Sequence, residues 1–343
     1  MKQILNTLYV QTQGAYLRLD HDTLQVEVER KKALQMPLHH LGGIVVFGNV
    51  LISPFLIHRC AEDGRSLVWL TEHGQFKARL AGNTTGNVLL RRAQHDALGE
   101  TSAMLEIARY IVAGKLQNAR NVLMRSAREA KADSDRTQLS QAADVHAKSI
   151  GNVETVTDME ALRGIEGYAA KAYFGAFTAM VRQNRDVFAF TGRSRRPPRD
   201  PINSLLSFVY TLLVNESAAA CEGVGLDPQI GYLHALRPGR PALALDLMEE
   251  LRAPLADRLV LTLINRNQLT PEDFVERPGG AIYLTKDARK TLLSAYQKRK
   301  QEEVFHPAVN TKAPLGLICH TQARLLARYL RRDLPTYQPF ILR

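Results

Sequence analysis

The chain is poor in cysteine, in acidic charge and in long apolar runs, and each shortage removes a class of protein. Its three cysteines, Cys60, Cys221 and Cys319, lie far apart and form no CxxC pair. A zinc ribbon or a disulfide framework is thereby disfavoured, and a reducing cytosol is the expected compartment. No apolar stretch follows Lys2, and no run approaches the roughly eighteen apolar residues that span a bilayer, so neither a secretory leader nor a membrane partner is expected. GxxxxGK[ST], GxSxG and HExxH are all absent, which excludes a P-loop ATPase and leaves nucleophile-elbow and HExxH chemistry without a motif. Also missing are C2H2 spacing, an RNP motif and a leucine zipper, so nothing points to base-specific readout.

The acidic deficit is the most telling shortage. Against 45 Lys and Arg stand 34 Asp and Glu, a net charge of +11. Residues 285–343 alone carry twelve Lys/Arg against four Asp/Glu. Such a balance favours polyanionic partners, although it says nothing about fold. The stretch GRSRRPPRDP concentrates Arg193, Arg195, Arg196 and Arg199 within seven residues, and its paired prolines keep it extended. Arginine suits phosphate because its planar fork donates two hydrogen bonds at once, so these four residues are the expected DNA-binding set. The competing reading is a solvated interhelical loop.

With 343 residues and 45% hydrophobic content, the chain is long enough for two domains. Residues 1–82 read as β-rich. NTLYVQ, AYLRLD, LQVEVER, KALQMPL, GGIVVFG, SLVWLT and QFKARL are short strand candidates, and Ser53 is placed to cap a helix reaching about Glu62. A small sandwich or roll is the expected architecture. Residues 83–99 read as a linker. From 100 to 343 the apolar period becomes helical, through 101–129, 154–183, 203–222, 243–266, 286–304 and 315–332. Asp227-Pro228 and Thr270-Pro271 look like helix starts, Thr285 and Asn203 like caps, and residues 276–284 like a small hairpin. Pro254 either kinks its helix or begins a new one. The predicted fold class is therefore α+β, a small β-rich domain followed by a larger all-α catalytic domain.

Four hard ligands interrupt the apolar helical sequence. Glu166 stands at helical spacing from Leu162, Ala169 and Tyr173, on the face expected to be buried. An unpaired buried carboxylate is costly, so it calls for a cation, a proton or a metal. His234 closes GLDPQIGYLH, and Asp246 and Glu249, three apart, share one helix face. Taken singly, each has an ordinary explanation: Glu166 paired with Arg163 or Arg182, His234 a structural histidine, the acids on a surface. Together they offer the mixed oxygen and nitrogen donors of a Mn²⁺ or Mg²⁺ site. Cys319-His320 reads as a core cysteine with a neighbour. His39-His40 has no acidic partner nearby in sequence.

Along essentially its whole length the chain resembles the CRISPR-associated integrase family, the universal Cas nuclease of spacer acquisition. The likeness is carried by RGIEGYAAKAYF, RRPPRDPINSLLSFVYTLL, GLDPQIGYLH and ALALDLMEELRAPLADRLVLTLINR, in that order. The details are closest to type I systems. The resemblance implies a β-rich N-terminal domain used in dimerisation and DNA contact, and a helical catalytic domain. It implies a metal held by Glu166, His234 and Glu249, with Asp246 in catalysis or outer support. Many members carry Asp where this chain has Glu249, so the longer arm alters the ion's geometry.

The activity so implied is that of a metal-dependent DNA endonuclease and integrase. It joins the 3′-hydroxyl of a captured double-stranded fragment to the CRISPR repeat by transesterification. Homodimers are implied, two of them bridged by a dimer of a small ferredoxin-like Cas partner, with an iron–sulfur Cas nuclease added in some systems. Two other readings remain open at this stage. One is a structure-selective repair nuclease using the same metal. The other is a non-catalytic DNA-scaffolding protein whose buried acids are merely paired with arginines.

Overall fold

The computed structural model describes residues 6–82, 88–194 and 197–342. The chain divides into two compact units, Met1–Thr85 with Tyr296–Gln301, and Gly86–Ala295 with Glu302–Arg343. Arg195 and Arg196 of the basic loop, and residues 83–87 of the expected linker, lie outside the described residues.

The first unit contains β1 (Asn6–Val10), β2 (Tyr16–Asp20), β3 (Thr23–Val28), β4 (Lys31–Pro37), β5 (Leu41–Phe47), β6 (Leu51–Ile52), α1 (Pro54–Glu62), β7 (Ser66–Leu70) and β8 (Phe76–Arg79). They form two four-stranded sheets, ordered β1-β5-β7-β8 and β4-β3-β2-β6. One apolar cluster joins them, with Leu17, Leu24 and Val26 from one sheet, Ile44, Val46 and Leu67 from the other, and Leu56 and Cys60 from α1. The Ser53 cap is present, its hydroxyl accepting from the Leu56 amide at 3.3 Å.

The pairing holds a feature that alternation alone does not reveal. β1 pairs β5 and β5 pairs β7 in parallel. Parallel neighbours need a crossover connection, and here α1 links β5 to β7 while the strands β2 to β4 link β1 to β5.

The second unit begins with α2 (Val88–Gly99), α3 (Thr101–Glu129), α4 (Asp133–Thr155), α5 (Met159–Gly175) and α6 (Pro201–Val224). It continues with α7 (Ala242–Leu251), α8 (Arg258–Asn265), β9 (Phe274–Arg277), β10 (Ala281–Leu284), α9 (Lys286–Gln301), β11 (Glu303–His306), β12 (Thr311–Pro314) and α10 (Ile318–Leu330). The last turns of α9 belong to the first unit.

Several sequence expectations are corrected here. Residues 88–99, read as linker, are helical; the side chain of buried Gln94 bonds the Asp227 and Ile230 carbonyls at 2.9 Å, so a polar residue fills the apolar position. α4 escaped notice for a similar reason, since its buried face is Leu139, Ala142, Ala143, His146, Ser149 and Val153. Asp227-Pro228 starts no helix, because the Asp227 carboxylate instead accepts from the Gln229 amide at 2.8 Å and closes a turn. Thr270-Pro271 opens a single 3-10 turn before β9. The true cap of α6 is Asp200, which accepts from the Asn203 amide at 2.7 Å. Thr285 does cap α9, accepting from Ala288 at 3.2 Å.

Pro254 neither breaks nor restarts its helix. Residues Arg252–Asp257 form a π-helical turn joining α7 to α8. A widened turn accommodates a ring that cannot donate a hydrogen bond, and such turns often sit at functional sites. α6 is long and apolar enough to cross a membrane by length and composition, but most of that stretch is buried within the unit, as in a core helix.

Candidate active site

Two helices and one loop deliver the four expected residues to one place. Asp158 caps α5 by accepting from the Ala161 amide at 2.8 Å, and two turns on α5 carries Glu166. The π turn follows α7, which carries Asp246 and Glu249, and the loop after α6 carries His234.

Asp246 builds that loop. Fully buried, its carboxylate accepts the backbone amides of Tyr232 at 2.6 Å, Leu233 at 3.0 Å and His234 at 3.0 Å. It also bonds His234 Nδ1 at 2.6 Å. This close seating requires glycine at 231, where a Cβ would lie 2.7 Å from Asp246 Oδ2 and 2.5 Å from the Ala242 carbonyl carbon. A carboxylate partner assigns the imidazole proton to Nδ1, leaving the Nε2 lone pair toward Glu249 Oε1, 3.8 Å away.

Glu249 is 3% exposed, and its Oε1 accepts from Arg252 Nη1 at 2.8 Å. Its Oε2 stands 2.8 Å from Lys115 Nζ on α3, yet forms no aligned hydrogen bond. Distance and alignment disagree there; the contact is an ion pair at Coulombic range without a directional donor. Burial pushes Glu249 upward, but the charges of Arg252 and Lys115 outweigh it and hold the carboxyl well below the usual range.

Glu166, only half-buried at 26% exposure, is bonded by the same Lys115 ammonium. The partner of Glu166 is therefore neither Arg163, which donates to the Leu233 carbonyl at 3.1 Å, nor Arg182, which pairs with Glu129 at 2.5 Å. Lys115 and Arg252 are the residues sequence reasoning missed. Arg252, three residues after Glu249, was legible as a helical i,i+3 pair. Lys115 had no local signal, since its partners are 51 and 134 positions away.

Beyond Arg252 lies a further buried carboxyl. Asp257, at the end of the π turn, accepts from Tyr210 at 2.5 Å and Tyr173 at 2.9 Å. Burial pushes it up despite those donors and Arg252. The Arg252 guanidinium lies 4.4 Å from the Tyr210 ring centre, and that of Arg193 lies 5.3 Å from it. Arg193 also donates to Asn203 Oδ1, so it is turned inward. Of the described loop arginines, Arg199 is the exposed one. The three cysteines are free and buried, with Cys319 Sγ 3.3 Å from Ser217 Oγ.

The donor set fits a divalent cation in chemistry. An imidazole nitrogen and a carboxylate oxygen, two acceptors, face each other, and both acidic side chains already converge on a single cation. No three His, Cys, Asp or Glu among the described residues stand within reach of one ion, because the Lys115 ammonium lies between Glu166 and Glu249. A large cavity lies elsewhere. About 720 Å³ in volume, it runs along α3 past Asn121, Arg125 and Arg128 and holds none of the four residues.

A β-rich unit followed by a larger helical unit, with two carboxylates and an imidazole gathered in the latter, defines an α+β protein with an acid–imidazole centre. The family description "CRISPR associated protein Cas1" matches residues 8–298. A CRISPR-associated endonuclease Cas1 of Moorella thermoacetica is 56% identical over 343 residues, all of both chains. This chain belongs to the Cas1 family. Two solved structures share its fold. One is described as a Cas6-RT-Cas1–Cas2 complex, with TM-score 0.83 and 24% identity, covering 99% of this chain and 36% of that one. The other is a casposase bound to integration product, with TM-score 0.83 and 20% identity, covering 97% and 93%.

Proposed function

We propose that this protein is the metal-dependent DNA endonuclease and integrase of CRISPR adaptation, joining the 3′-hydroxyl ends of captured DNA to the CRISPR repeat. The observation that carries the reading is the convergence of Glu166 and Glu249 on one ammonium, with His234 Nε2 3.8 Å from the other Glu249 oxygen. The endonuclease name of the Moorella relative and the integration product held by the casposase support the same chemistry.

In the reaction, a 3′-oxygen forms a bond to phosphorus of the repeat. The bond from that phosphorus to the repeat's own 3′-oxygen breaks, and the departing oxygen takes up a proton. One phosphodiester replaces another, so no high-energy cofactor is consumed. Glu166, Glu249 and His234 Nε2 would hold Mn²⁺ or Mg²⁺, which when bound supplies Lewis acidity toward a phosphoryl oxygen. Asp246 holds the imidazole in one tautomer and one orientation. Arg252 neutralises Glu249 and braces it against Tyr210. Arg199, with Arg195 and Arg196, holds phosphates. Arg193 stiffens the loop from within.

The working assembly is a homodimer in the cytoplasm, with a small ferredoxin-like Cas partner and, in some systems, an iron–sulfur Cas nuclease. The presence of the fold in a Cas1–Cas2 complex supports the first partner.

Incubating the protein with Mn²⁺, a short 3′-hydroxyl duplex and a repeat-bearing plasmid is expected to give joined products, reduced at least about a hundredfold by Glu166→Ala. Joining at the normal rate in that variant would overturn the assignment. Junction cleavage indifferent to the repeat would point to a repair nuclease instead. One observation favours the scaffolding reading, namely that Glu249 is already paired with Lys115 and Arg252. Full DNA affinity with no binding of Mn²⁺ by calorimetry would support it.

A further inference from the structure

We propose that Lys115 is a built-in competitor for the divalent ion: its ammonium holds the site closed without metal and must leave when metal enters. The inference rests on the metal reading above and adds a residue to which no role has been given. Three observations on α3 and its neighbours carry it.

First, the ammonium occupies the position a cation would take. Its side chain is 15% exposed, and it touches Glu166 from α5 and Glu249 from α7 at once. Second, the contact with Glu249 Oε2 is Coulombic at 2.8 Å without hydrogen-bond alignment. A point charge satisfies such a contact, and another point charge can replace it. Third, the local charge favours exchange over addition. Two cations, Lys115 and Arg252, face three carboxylates, Glu166, Asp246 and Glu249. A divalent ion added beside Lys115 leaves the cluster positive. A divalent ion that replaces Lys115 leaves it neutral, the cheaper state in a partly dehydrated site.

Of the two cations, Lys115 is the one able to leave. Arg252 is fixed by an aligned hydrogen bond to Glu249 Oε1 and by the Tyr210 ring beneath it. Among the described residues Lys115 makes no cation–π contact, and its four-carbon stem is intrinsically flexible.

The test is titration of the full-length protein with Mn²⁺ alone, by calorimetry, for wild type and Lys115→Met. Lys115→Met is expected to bind Mn²⁺ about tenfold more tightly or better, because the ion no longer displaces an ammonium. Equal or weaker binding by a folded Lys115→Met overturns the competition and leaves the metal site standing. No binding by either protein overturns both. Should Lys115→Met fail to fold, wild type answers the question through amine acylation read by peptide mass spectrometry. Labelling of Lys115 is expected to rise several-fold when Mn²⁺ is added. Unchanged or reduced labelling at saturating Mn²⁺ contradicts the proposal.

Discussion

At the scale of the residue, Glu249 bears the most weight, because it is buried and owes its charge to its neighbours. Removing one partner of a buried ion pair leaves the other uncompensated, a cost of roughly 3–5 kcal/mol. Glu249→Ala is therefore expected to lose stability in that range by denaturant unfolding, with the double variant Glu249→Met, Arg252→Met recovering most of it. A single variant as stable as wild type would mean that the Arg252 pairing counts for little. Because the folded Glu249 carboxyl is held below its ordinary value, its contribution is fully present above about pH 4.5. It is lost only as pH falls through the depressed folded value.

The acidic pair Asp246/Glu249 looks symmetrical in sequence and is not so in space. Asp246 has both oxygens committed to the 232–234 loop, whereas Glu249 keeps one oxygen without an aligned donor. Sequence spacing places both on one helix face but does not say which loop will fold over that face. Only the packing does.

At the scale of the element, two buried histidines are hydrogen-bonded, one within its own helix and one from a hairpin strand to α10. His146 on α4 bonds the Ala142 carbonyl at 2.8 Å, and His306 on β11 bonds Gln322 on α10 at 2.9 Å. Burial lowers both below the usual imidazole value. A depressed imidazole contributes stability above its unfolded value, near 6.5, that is lost as pH falls through the folded value. Unfolding free energy is accordingly expected to drop between about pH 7.5 and 5, with a shallower slope in His146→Leu and in His306→Leu. Parallel pH profiles for wild type and both variants would contradict this.

Elements were legible where the burial pattern used large apolar residues and hidden where it did not. α3 was bounded correctly from its apolar period alone, since Leu105, Ile107, Ile111, Val112, Leu116, Val122 and Leu123 make a continuous stripe. α2 and α4 bury glutamine, alanine, serine and histidine, which carry no hydropathic signal. The C-terminal segment was unreadable for a different reason. Residues 337–342 have no secondary structure, yet Tyr337 and Phe340 are fully buried and bonded to Glu250 at 2.5 Å and 2.7 Å. Asn118 on α3 donates to the Phe340 carbonyl at 2.7 Å. Such contacts between distant polar groups leave no periodic trace.

At the scale of the whole molecule, the positive charge sets how it meets DNA. The proposed phosphate contacts predict an affinity that falls steeply and log-linearly with salt. Neutralising Arg195 and Arg196 together is expected to weaken binding for all sequences alike and to reduce the salt slope by about two. A loss confined to one sequence would contradict a role limited to phosphate. Arg193→Ala should act differently, through loop order, because its guanidinium lies against Tyr210 and Asn203.

The division into a β-rich and a helical part followed from the change of period. The site followed less completely, since spacing named four acids and imidazoles but neither of the cations that hold them. Lys115 is a long-range partner, and it makes the central claim open to direct observation. A crystal soaked in Mn²⁺ and measured at the manganese absorption edge is expected to show one anomalous peak among Glu166, His234 and Glu249, with the Lys115 side chain turned away. Full occupancy of that position by the Lys115 ammonium at saturating Mn²⁺, with any manganese peak elsewhere, would contradict the account.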